Sequence, residues 1–240
     1  MKRQLVGKFT VPGIVLLVMA NFLSAQNSKT PYPSMAPLDQ YLSSDRNAEI
    51  ALARSAAPDS ISRDAEILAL THRGYETAVK GTNGFVCLVQ RSWAVEIDDP
   101  EFWNPKMRAP LCVNAAAAHF YVPIYLKKTE LILSGQTKEQ MAASIRASLD
   151  KNEFPAPSPG AMSYMMSKQG WLNDHDGHWR PHVMFFTPPT EANVWGANLA
   201  GSPVLALPDH SDRITIFLIP VATWSDGTPE GDAAHEHGSR

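Results

Sequence analysis

Six short runs, each too brief for a well-formed helix, restrict this chain most. They are AEILALT (65–71), YETAVK (75–80), FVCLVQRSW (85–93), AMSYMMSK (161–168), WRPHVMFFT (179–187) and RITIFLIPVA (213–222). Brief apolar runs bounded by Gly, Pro, Asn and Ser read as strands. Ala65, Leu68, His72, Tyr75 and Val79 also fall at helical spacing, but Gly74 between them argues against a continuous helix. Asn83-Gly84, set between two such runs, predicts a hairpin turn, because both residue types tolerate positive φ.

Three stretches carry the helical period instead. DRNAEIALARSA (45–56) is one. Asn114 caps a second, Ala-rich stretch toward Val122, where Pro123 either kinks it or starts another helix ending near Ser134-Gly135. Thr137 and Gln140 form a capping box that opens the third, which carries an apolar stripe of Met141, Ile145 and Leu149. The order is therefore helix, strands, helices, strands. That order predicts an α+β fold, a mostly antiparallel sheet with amphipathic helices packed on it, rather than the regular alternation of a parallel α/β fold. One globular domain is expected over 45–225, after a flexible lead at 26–44 that holds three of the nineteen prolines in the chain's 240 residues, and before a polar, disordered tail at 226–240.

The first residues read as an address. MKRQLVGK is basic, FTVPGIVLLVMANFL is apolar, and small residues precede a plausible cut after Ala25. A spanning helix needs about 20 apolar residues, and this run is shorter and interrupted by Pro12 and Gly13. Residues 1–25 are expected to be a secretory signal, so the mature protein is placed outside the cytoplasm, secreted or periplasmic. No later run is long enough to span a membrane. Cleavage removes Lys2, Arg3 and Lys8 and no acid, which takes the formal charge from -3 to -6. An acidic chain without a Lys/Arg cluster is not expected to bind nucleic acid.

Export changes how Cys87 and Cys112 are read, the two cysteines of the sequence. An even pair in an oxidising compartment predicts a structural disulfide, with two buried thiols as the alternative. Neither has a CxxC spacing or a basic neighbour that would lower a thiol pKa.

The most chemical-looking segment is NDHDGHWRPH (173–182). His178 and His182 have the spacing of a helical zinc motif, but Trp179 stands where the catalytic Glu is required and Pro181 breaks the helix. On a strand, residues four apart are separated by roughly 13 Å, too far for one zinc. Asp176-Gly177 suits the centre of a type I′ turn, which would bring His175 and His178 face to face. Those two and Asp174, completed by a remote residue such as His210 or Asp209, are a candidate zinc site. His178, Arg180 and His182, on one strand face, are a candidate ligand site. A solvated hairpin loop is the third reading.

Other patterns point nowhere specific. Ser148 and Lys151 fit SxxK without its companion motifs. No GxSxG, GxGxxG or GxxxxGK[ST] occurs. Asp98, Asp99 and Glu101 precede Phe102-Trp103, a pairing that sugar hydrolysis would use but that a solvated acidic loop with a buried anchor explains as well. His72 and His119 stand alone, and His235 and His237 flank Glu236 in the tail. The expectation is an exported, non-enzymatic binding or structural module with no cofactor, its partner a small molecule or an envelope component. The alternative is a metal-dependent hydrolase built on His175 and His178.

Overall fold

The computed structural model describes residues 31–231. The expected signal peptide and the end of the tail lie outside the described residues. Eight strands form one mixed, mostly antiparallel sheet in an α+β domain. In chain order they are β1 (Glu66–Thr71), β2 (Gly74–Val79), β3 (Val86–Gln90), β4 (Ala109–Val113), β5 (Met162–Met165), β6 (His182–Thr187), β7 (Leu205–Asp209) and β8 (Ile214–Pro220). Their spatial order is β2-β1-β3-β4-β5-β6-β8-β7, and β1/β3 is the parallel pair. Four helices accompany them: α1 (Arg46–Arg54), α2 (Asp59–Ser62), α3 (Ala115–Leu133) and α4 (Lys138–Asp150). No described helix is long and apolar enough to cross a membrane.

Side-chain caps start α1, α3 and α4 where the sequence places them. The Asp45 carboxylate accepts from Asn47 N–H, and the Asn114 side-chain Oδ1 from Ala117 N–H. Thr137 and Gln140 bond reciprocally in a complete capping box. Pro123 neither ends α3 nor divides it; the helix runs through. Pro123 and His119, whose carbonyl loses its partner, both lie on the exposed side, where water can serve the freed oxygen.

The expected hairpin at Asn83-Gly84 is corrected by the structure. β3 does not pair with β2 but lies on the far side of β1, parallel to it. Residues 80–85 carry the chain past the start of β1. Thr82 N–H donates to Asp64 O, Glu66 N–H to Phe85 O, and the Asn83 amide to Ile61 O. Gly81 makes the crossing possible, since a Cβ there would stand 2.1 Å from Glu66 N. Burial explains the choice of neighbour. β3 is apolar on both faces and needs an interior position, whereas β2 is half-exposed and suits an edge.

The β1–β3–β4 part of the sheet is sandwiched. On one face Ile67, Cys87, Val89 and Cys112 pack against Ala53, Ala56 and Ala57 at the end of α1. On the other, Leu68, Leu70, Leu88, Leu111 and Val113 meet Phe120, Tyr121, Ile124 and Tyr125 of α3, with Met141 and Ile145 of α4 behind. Cys87 and Cys112 are direct cross-strand partners with Cα atoms 4.0 Å apart, and they form the disulfide. A buried ion pair, Arg91–Glu49 at 2.8 Å, ties β3 to α1. Arg91 also donates to Tyr41 O at 2.6 Å. Tyr41, in the expected flexible lead, is fully buried, and its hydroxyl donates to Trp103 O. Phe102 and Trp103 are buried edge to face, so the 98–110 loop does pack its aromatics down.

The β6–β8–β7 part is built differently. Met184, Phe186 and Ile214 join the α3 face. The opposite face is covered by the irregular segment 188–204, where the buried cluster is Ala197, Ala206 and Phe217. Trp195 lies flat on Phe217 with ring centroids 4.4 Å apart, yet remains 39% exposed. The edge strand β7 is guarded: the Asn198 side chain takes both the N–H and the C=O of Ala206, and Pro208 has no N–H to offer.

Candidate functional site

The histidine segment folds into a small closed loop. Asn173 and Gly177 form an antiparallel bridge, and Leu172 N–H donates to Gly177 O at 2.7 Å. Asn173 Oδ1 accepts from the N–H groups of His175 and Asp176, and Gly177 takes φ 72°. The loop thus has three residues closed by a glycine in the left-handed region, not a two-residue type I′ turn. This corrects the expectation that His175 and His178 face each other. His175 projects from the tip and bonds Asp176 at 2.7 Å. Asp174 turns away to Lys106, at 3.1 Å, and to the Tyr32 hydroxyl, which donates to it and, with Lys106, holds its carboxyl below the ordinary value. Among the described residues, no group of three or more His, Cys, Asp or Glu side chains is placed to hold a metal ion.

His178, Arg180 and His182 also part. β6 begins at His182, so the two residues before Pro181 are not on a strand. His178 lies parallel to Trp224 with centroids 6.1 Å apart. Arg180 pairs with Glu230 at 2.7 Å. His182 is buried, and its Nδ1 donates to Arg180 O at 2.8 Å. Burial lowers the His182 pKa against that bond, so the ring stays neutral. Trp224 and Glu230 belong to a C-terminal segment that folds back, with Glu230 N–H donating to Ala222 O. Residues 226–231, at the head of the polar tail, are therefore part of the folded body.

Concave surface gathers elsewhere, at the corner Pro188-Pro189-Thr190 after β6. Three cavities meet there. The first, about 450 Å³, lies between this corner and the β7–β8 end, with Glu191, Asp209, His210 and Arg213 on its wall. The second, about 190 Å³, shares Pro189, Arg213 and Ile214 with it and reaches Phe120, Leu149 and Asp212. The third, about 480 Å³, shares Thr190 with the first and is apolar: Phe185, Trp195, Pro157, Pro159 and Pro188 line it. Together they make a cleft with one aromatic and proline-rich end and one charged end.

The charged end rests on residues far apart in sequence. Glu96 accepts from His210 N–H at 2.9 Å and from the Ser211 hydroxyl at 2.6 Å. Asp209 accepts from Asp212 N–H at 2.8 Å. Asp212 pairs with Lys128 of α3 at 2.7 Å, both almost sealed from solvent. Burial, then the Asp212 charge, raises Asp209 to about 7, although Lys128 pulls the other way. Burial alone would raise Glu96, but the bonds from Ser211 and the turn backbone bring it below its ordinary value. Burial likewise disfavours the Lys128 ammonium, and the charges of Asp212 and Asp209 more than reverse that. Arg213, on the cleft wall, is held by Asp150 of α4 at 2.6 Å.

Sequence reasoning touched this site only through Asp209 and His210, as remote candidates to complete a metal shell. Glu96 and Lys128 carry no local motif. The one sequence signal was a run without charge, Ala192 to Pro208, which flanks the cleft. The remaining single histidines are surface residues: His72 pairs with Asp39 at 2.9 Å and His119 is exposed. Comparison of the chain with protein-family models, with curated proteins and with solved structures finds no match in any of the three.

Proposed function

We propose that the mature protein is an exported binding module whose ligand lies in the cleft around Pro188–Thr190. The observation that carries this reading is the meeting of three cavities at one corner, over the sheet face whose buried cluster has only three residues. Apolar surface is concentrated beside it. Of the six large hydrophobic side chains left exposed among the described residues, Val194, Trp195, Leu199, Leu205 and Leu207 belong to the segment that flanks the cleft. Groups of exposed apolar residues with a polar margin mark binding surfaces. An aromatic end and a charged end suit an amphiphile: an apolar body against Phe185 and Trp195, a polar head near His210 and Arg213. The Cys87–Cys112 disulfide is compatible with an oxidising compartment, and with the basic-then-apolar leader it supports export.

Two experiments test the two parts. Titration with decanoate and with decylamine, followed by tryptophan fluorescence, is expected to show saturable binding of at least one. Glu191→Trp fills the charged cavity from an exposed position and is expected to weaken that binding tenfold or more. Absence of saturable binding for both probes, or binding indifferent to the filled cavity, would overturn the ligand site. N-terminal sequencing of protein recovered outside the cytoplasm is expected to begin at Gln26; an intact Met1 would overturn the signal peptide.

A further inference from the structure

Between Glu191 and Asp209 the chain runs from Ala192 to Pro208 without a charged side chain. The run is nonetheless at the surface. Val194 is 68% exposed and Leu199 62%, and Trp195, Leu205 and Leu207 are exposed with them. The fold gathers these side chains along one border. Trp195 lies on Phe217, on the sheet face to which Ala206 also belongs. Leu205 and Leu207 alternate with Ala206 along β7 and so point to the opposite face. Asn198 bonds Ala206 across the open edge of β7, which brings the next residue, Leu199, to the border between the two faces.

What can cover this border follows from its polar groups. An added strand needs a free edge, but Asn198 holds both backbone groups of Ala206, and Pro208 has no N–H. A charged partner needs opposite charges to meet it, and the run holds none. An apolar medium asks only that backbone groups be bonded without water, and here most of that is done. Val194, Gly196, Ala197, Asn198 and Ser202 donate their N–H groups to carbonyls of residues 191–204, and Val204 donates to the Ser202 hydroxyl. A segment with no charge to desolvate and a backbone bonded to itself loses little on leaving water.

We propose that this border docks edge-on against the surface of a lipid bilayer. Val194, Leu199, Leu205 and Leu207 enter the boundary between head groups and acyl chains, and Trp195 lies at the level of the head groups. Glu191 and Asp209, at the two ends of the run, select the lipid. They oppose an anionic surface and leave a zwitterionic one as the partner. Trp195 also lines the apolar cavity of the cleft, so a docked molecule turns the mouth of that cavity toward the lipid. The docking goes beyond the ligand site proposed above, and neither it nor its test requires a ligand.

Co-sedimentation of the mature chain with phosphatidylcholine vesicles tests it. Wild type is expected to sediment with the vesicles, and to do so less as phosphatidylglycerol replaces phosphatidylcholine. Val194→Ser with Leu199→Ser exchanges the two most exposed of these side chains for small polar ones and is expected to weaken partitioning on the order of tenfold. Vesicles with brominated acyl chains locate the contact. They are expected to quench wild-type tryptophan fluorescence; Trp195→Phe should remove most of that quenching, and Trp171→Phe, at the other exposed tryptophan, should leave it. The wild-type quenching keeps the docking testable if the double variant does not fold. No sedimentation with phosphatidylcholine, stronger binding to phosphatidylglycerol, equal partitioning of the folded double variant, or quenching that survives Trp195→Phe would overturn the docking. A doubled mass in solution that the double variant abolishes, without vesicle binding, would assign the border to a second copy of the chain and overturn it too.

Discussion

The two ends of the sheet solve the same problem by different means. β1, β3 and β4 have a helix on each face, a disulfide between neighbouring strands and a buried ion pair sealing one side. β6, β8 and β7 have a helix on one face and an irregular segment on the other, with three buried residues beneath it. The first arrangement leaves a cavity of about 220 Å³, between the start of α1 and β1. The second leaves cavities at the corner where cover is incomplete, with exposed Trp195 and Val194 beside them. Buried packing on both faces is concentrated at one end, and exposed apolar side chains at the other. Such a division is expected of binding proteins, whose working surfaces come from the less stable parts of the molecule.

The contrast can be broken first at the well-covered end. Arg91→Ala leaves Glu49 buried without its partner and should cost about 3–5 kcal/mol in urea unfolding. A cost under about 1 kcal/mol would mean that the pair does not anchor α1. Next is the disulfide. Cys87→Ser with Cys112→Ser opens a loop with a sequence separation of 25 residues and should cost about 3 kcal/mol on the chain-entropy view, with the denaturant midpoint as readout. An unchanged midpoint would remove the staple from the account.

At the other end the expected effects are smaller and depend on pH. The Asp209 pKa is raised from 3.8 to about 7, so the unfolded chain gives up this proton before the folded one does. Its contribution therefore makes stability fall as pH rises from about 4 to about 7 and then level off. Asp209→Asn removes that contribution, and the variant should be about 1–2 kcal/mol more stable than wild type at pH 8, but not at pH 4. A difference that does not change with pH would remove Asp209 as its source. Smallest of all, Val194→Ser and Leu199→Ser should each change stability by less than about 0.5 kcal/mol, as surface substitutions do. A larger cost would show that the cover segment is core.

How much of this was legible in the sequence differs between the same two ends. Helix starts were readable because a cap is a local bond: Asn114 to Ala117, Thr137 with Gln140. The disulfide was readable because two cysteines allow one pairing. The position of β3 was not, since the Asn83-Gly84 signal is local and the burial that places β3 beside β1 comes from α1 and α3. β7, LALPD, carries a proline and five residues, too little pattern to stand out. NDHDGHWRPH drew attention by its residue types, yet its polar groups satisfy one another within the loop or bind the neighbouring Lys106, Trp224 and Glu230. The cleft was least visible, because Glu96 and His210 are brought together across 114 residues by the sheet and by nothing local.

Native-state hydrogen exchange in rising denaturant compares the two ends directly. The account predicts that amides of β3 and β4 exchange only through global unfolding, while those of β7 and the segment 188–204 open at a free energy at least about 2 kcal/mol lower. A single opening energy shared by all eight strands would contradict it.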